Sequence, residues 1–66
     1  MEYFDFMHND HDDKAVSFVA KECGLFAFFS ADGVTIEDRH ENTVGFVERD
    51  SDGLFDGSDI LDAIGF

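Results

Sequence analysis

A chain of 66 residues with 16 Asp or Glu and four Lys or Arg carries a formal net charge of −12. Small soluble domains usually stay below a magnitude of about 8. Excess like charge repels itself in the compact state, so the field points to a basic partner, bound cations or solubility in high salt. Nine Phe, no Pro and 44% hydrophobic residues exclude the aromatic-poor acidic tail that stays unfolded.

Residues 2–7, Glu-Tyr-Phe-Asp-Phe-Met, alternate so that Phe4 and Phe6 share one face of an extended segment, and a strand is expected there. Residues 8–13 are polar and end in acids, which suits a helix start with Asp10 or Asp12 as cap. Over 13–23 the apolar positions Ala15, Val16, Val19, Ala20 and Cys23 make one helical stripe with Phe18 beside it. Lys21 falls in the last turn and Gly24 is placed to cap it. Residues 25–30 and 34–38 read as a hairpin around Asp32-Gly33. A two-residue loop there sets Ala31 opposite Val34, Phe29 opposite Ile36 and Phe28 opposite Glu37. Leu25, Ala27, Phe29, Val34 and Ile36 then face the core, while Phe26 and Phe28 lie on the other face with Thr35 and Glu37. The second helix or the N-terminal strand is expected to cover Phe26 and Phe28; the alternative is an aromatic contact surface for a dimer or a partner.

A charged loop follows at 38–42. Thr43–Glu48 is the third strand of the meander, with Val44 and Phe46 inward. After a turn at 49–53, Ser58 is placed to cap a short last helix carrying Ile60, Leu61 and Ile64, ended by Gly65. The order β-α-β-β-β-α, or α-β-β-β-α if the first segment is irregular, predicts one α+β domain over 1–66. It holds a three- to four-stranded antiparallel sheet, a helix in the N-terminal half and a short C-terminal helix. A core this small is marginal alone, so a monomer or weak dimer is expected. Cys23 is the single cysteine, which rules out an intramolecular disulfide and suits a small apolar packing role. The N-terminus lacks a basic region followed by an apolar run, and the longest apolar run, 25–29, is far below a membrane span. Both features predict a cytoplasmic protein.

Catalysis finds little support. Cys23 with a histidine could form a nucleophile–base pair, but no nucleophile turn or phosphate loop is present, and no enzyme activity or cofactor is expected. His8 and His11 with nearby acids have metal-ligand spacing, yet only Cys23 and His40 remain to complete a site. Glu48, Asp50, Asp52, Gly53, Phe55, Asp56 and Asp59 match positions one, three, five, six, eight, nine and twelve of an EF-hand loop. The loop lacks Asp at its first position and Glu at its last, and it is entered from a strand. Weak calcium binding is the most this spacing supports.

The acids fall mostly in turns and at element ends, at Asp10, Asp12 and Asp13, at Glu37, Asp38 and Glu41, and at Glu48, Asp50, Asp52, Asp56, Asp59 and Asp62. Duplex DNA shows one negative charge per roughly 1.7 Å of axis, and solvated carboxylates on one face can imitate that density. In its small size, acidity and aromatic core the chain resembles the small acidic inhibitors made by phages, most of all the DNA-mimicking anti-CRISPR proteins. The resemblance implies a non-enzymatic inhibitor that does not itself bind nucleic acid. It would occupy the basic surface with which a CRISPR effector, or another nucleic-acid-binding protein, reads the protospacer-adjacent motif or grips DNA. The expected contacts are Glu37, Asp38, Glu48, Asp50, Asp52, Asp56, Asp59 and Asp62, then Asp10, Asp12 and Asp13, with Phe26 and Phe28 as possible aromatic contacts. The alternative is an acidic, halophile-type interaction domain.

Overall fold

The computed structural model describes residues 3–65. Helix α1 (Tyr3–Met7) leads to a two-residue strand β1 (Asp10–His11) and helix α2 (Asp13–Glu22). Strands β2 (Phe26–Phe29), β3 (Gly33–Glu37) and β4 (Thr43–Glu48) form an antiparallel meander. Strand β5 (Phe55–Asp56) pairs antiparallel with β1, and helix α3 (Gly57–Ile64) ends the described chain. This is an α+β architecture in which α2 packs on β2, α3 on β4 and α1 on α3. Phe6, Val16, Val19, Val34, Ile36, Val47, Phe55, Ile60 and Leu61 fill the space between. The resulting body is flattened, 30 × 27 × 17 Å. Among the described residues no helix is long and apolar enough to cross a membrane.

The best-patterned segment folds as its spacing predicts. The Asp12 carboxylate accepts from the Ala15 N–H at 2.9 Å, and Val16, Val19 and Ala20 are buried. The Gly24 N–H donates to the Lys21 carbonyl and the Leu25 N–H to that of Ala20. These two bonds close the helix as a Schellman motif.

Four expectations need correction. Residues 3–7 are helical, not extended; Glu2 lies outside the described residues. Phe6 is buried while Phe4 is 70% exposed, which breaks the two-residue alternation, and Tyr3 and Phe6, three apart, both pack on the core. The hairpin turns on Ala31-Asp32, because Phe29 pairs with Val34, Phe28 with Thr35, Ala27 with Ile36 and Phe26 with Glu37. Gly33 is needed as a strand residue: a Cβ there would overlap the Val47 carbonyl and sit 2.8 Å from the Phe46 ring. The shift is by an even number of residues, so the predicted core face of β2 and β3 is kept.

The third correction is β4, which presents the opposite face. Val47 is 6% exposed and Phe46 51%, with Val44 also exposed. Gly45 lies directly beneath Ala63 of α3, where a Cβ would approach the Ala63 Cβ to 2.9 Å. A large inward side chain at that level would hold the helix off the sheet. The strand keeps Gly45 and Val47 inward and absorbs the mismatch in an irregularity at Ile36/Glu37, where Gly45 and then Thr43 are the successive partners. The fourth concerns α3, which is capped by Asp56 and not Ser58. The Asp56 carboxylate accepts from the Ser58 N–H at 2.8 Å and from its hydroxyl at 2.7 Å.

Candidate functional site

Strand pairing assembles the acids. The β1–β5 ladder sets Asp10 opposite Asp56, a like-charge cross-strand pair of the kind that destabilises a sheet. The 50–53 turn adds two more carboxylates. Its backbone is held by the Asp50 carboxylate, which accepts from the Asp52 and Leu54 N–H groups at 2.9 and 3.0 Å. Partial desolvation, then the neighbouring Asp50, Asp56 and Asp52 carboxylates, push the Asp10 carboxyl above its ordinary range. Asp10, expected to belong with Asp12 and Asp13, thus joins the C-terminal acids. Asp56 caps α3 and Asp59 and Asp62 follow at three-residue intervals within it, and Asp59 and Asp62 line a shallow groove against β4 with Glu48. All of these acids are exposed.

Asp12 and Asp13 have other work. Asp12 caps α2. Asp13 receives both arms of the Arg49 guanidinium, at 2.5 and 3.0 Å, and that hydrogen-bonded pairing holds its carboxyl below the usual range. Arg49 also donates to the carbonyls of Ser30 and Gly53 and lies 4.7 Å above the centre of the Phe55 ring. One cation therefore ties α2, the β2–β3 turn and the 50–53 turn over the core. The sequence does not reveal this role, because Ser30 and Asp13 lie 19 and 36 residues away.

Glu37 and Asp38 lie at the end of β3 opposite the one where Glu48 pairs with Gly33. The Asp38 carboxylate accepts from the Asn42 and His40 N–H groups at 3.0 and 2.8 Å. These bonds, led by Asn42, hold its carboxyl below the usual range. Glu37, Asp38, Arg39 and Glu41 border a shallow depression with Phe26 and Phe28. Neither α1 nor α3 covers those rings, contrary to the expectation that a helix or the N-terminal strand would. Phe26 is 54% and Phe28 55% exposed. Register places Phe28, Thr35 and Phe46 in one row across the open face. Phe46, expected to face inward, belongs to this surface because β4 turns Val47 to the core instead.

The residues with metal-binding spacing do not converge. Among the described residues no three His, Cys, Asp or Glu side chains gather to hold an ion. His11 stacks on Phe6 with ring centres 3.9 Å apart and donates from Nε2 to the Phe6 carbonyl at 2.8 Å. His8 meets Phe4 edge-on. In 48–59, the Asp50 and Asp56 carboxylates serve the turn and the helix cap. Cys23 neighbours Tyr3, whose phenol is pushed up by desolvation and by that thiol.

Comparison with protein-family models, curated proteins and solved structures found no match.

Proposed function

We propose that the chain is a non-enzymatic acidic inhibitor, acting in the cytoplasm, that mimics the charge of DNA and blocks a basic DNA-binding surface. The reading extends to the surface with which a CRISPR effector recognises its protospacer-adjacent motif. The observation that carries it is the grouping of Asp10, Asp50, Asp52 and Asp56, all exposed, none of which forms a salt bridge among the described residues. Folding brings them together at a cost in self-repulsion; a basic groove would offset that cost on binding. The Asp56, Asp59 and Asp62 stripe supports the same reading. Within α3 the Asp59 and Asp62 positions rise about 4.5 Å apart along the helix axis, on the order of the 3.4 Å per phosphate of one DNA strand. Asp13, paired with Arg49, stands outside the proposed contact.

The test compares the wild-type chain with the combined variant Asp50→Asn, Asp52→Asn, Asp56→Asn and Asp59→Asn as baits in the cell that expresses it. Asn still accepts the capping and turn hydrogen bonds, so the variant retains the fold. The expected result is capture of nucleic-acid-binding proteins by the wild type, weakened by added salt and lost with the variant. Recovery of metabolic enzymes alone, or equal capture by the folded variant, overturns the proposal.

A further inference from the structure

The edge strand β2 is chemically unlike the rest of the chain. With 16 acidic and four basic residues in the sequence, 23–31 is the longest stretch without a charged side chain. Strand β2 ends the sheet on the side away from β4, where α3 packs with Asp59 and Asp62. Exposed edge strands are normally guarded by Lys, Pro, a bulge or an inward charge, and Phe26–Phe29 carries none of these.

Its backbone has a defined polarity. The Ser30 N–H donates to the Gly33 carbonyl at 2.8 Å, so by antiparallel alternation Phe28 and Phe26 direct their peptide groups to β3. Ala27 and Phe29 direct theirs outward, away from the sheet. Beside this edge runs a groove lined by Ser17, Lys21, Leu25 and Ala27 with the two outer Phe rings.

We propose that two copies of this chain pair through β2, antiparallel and about a two-fold axis at Phe28. In that register Ala27 of each copy exchanges both backbone hydrogen bonds with Phe29 of the other. Phe28 faces Phe28 at the close, non-hydrogen-bonded position, and Phe26 faces Ser30. The two meanders become one six-stranded sheet, and no charged pair is created across the seam. The half-exposed rings of Phe26 and Phe28 each offer about 100 Å², and the strand backbone and groove add to this. The total lies at the low end of specific interfaces, so the expected association is weak, on the order of tens of micromolar. The dimer rests on the edge geometry alone and stands or falls separately from the proposed inhibition.

Sedimentation equilibrium in about 0.15 M salt over roughly 5 to 500 μM brackets that affinity. The expected mass rises from 7.4 kDa to twice that value, with tighter association at higher salt as the net charge is screened. Phe28→Asp and Phe28→Lys each weaken association more than about tenfold. An equimolar mixture of the two restores it, because residue 28 faces itself across the axis. Both substitutions fall on an exposed ring, and circular dichroism checks the fold. Independently of any variant, the Ala27 and Phe29 amides of the wild type exchange more slowly with solvent as concentration rises. A mass of one chain throughout overturns the proposal. So does a dimer that ignores Phe28→Asp but is lost with Phe46→Asp, or a mixture of folded variants that stays monomeric.

Discussion

Arg49 and Asp10 illustrate two ways a charged residue acquires its role. Arg49 is held by four oxygens from three parts of the chain, so its charge serves the fold. Asp10 is placed among acids and carries an electrostatic penalty. Its carboxyl is pushed up from the ordinary 3.8 by desolvation and by Asp50, Asp56 and Asp52. A raised folded value means that the native state binds the proton more tightly than the unfolded chain. This contribution is therefore favourable in full below 3.8 and is lost as the pH rises through the raised value. Asp10→Asn removes the penalty, so urea unfolding at about pH 7 shows a more stable variant, and at about pH 3 the gain is gone. A variant less stable than wild type at pH 7 would show that the Asp10 charge is compensated. Asp12 and Lys21 were legible in the sequence because capping and helix-end electrostatics act within one turn. Asp10 was not, because its acidic neighbours come from a strand pairing more than 40 residues away.

Elements show the same division. Helix α2 could be read from its stripe, its cap and its terminal glycine, all of which are local. Residues 3–7 alternate like a strand, yet they fold as a helix because Phe6 is buried and Tyr3 packs beside it. Strand β4 alternates either way, and Ala63 above Gly45 decides which face goes in. At the start of α3 the cap lies two residues earlier than Ser58. Asp56→Ala should cost about 1 kcal/mol while Asp56→Asn is near neutral; Ser58→Ala stays within about 0.5 kcal/mol. Chemical denaturation of the three variants ranks them, and a larger loss at Ser58 than at Asp56 would contradict the cap. Gly57→Ala is expected to be worse than either. Its Cβ would collide with the Phe6 carbonyl where α3 passes α1, against a backbone that cannot move aside.

At the scale of the molecule, one layer of helices covers one face of the meander and leaves the other open. Among the described residues ten hydrophobic side chains are buried against a net charge of −12, so screening of that charge should raise stability. With a Debye length of about 10 Å at 0.1 M, the melting temperature should climb between about 0.02 and 0.5 M salt. An inhibitor must also give a folded circular dichroism spectrum at about 0.15 M. An unfolded spectrum there, with folding only in molar salt, would favour adaptation to high salt over inhibition. The open face, with Phe26, Phe28 and Phe46, and the uncharged β2 edge are where a small core of this kind can gain further burial.

By itself the sequence determined the α+β class, helix α2 with both its ends, the existence of the meander and the inward face of β2 and β3. Each of these follows from periodicities and caps that act over a few residues. Only the tertiary structure decided that 3–7 is a helix, that β4 turns Val47 inward and Phe46 outward, and that Arg49 pairs with Asp13. It also decided that Asp10 meets Asp50, Asp52 and Asp56. Those outcomes depend on which backbones can approach closely, at Gly33, Gly45 and Gly57, and on side chains that are distant in sequence and become neighbours once the core has closed.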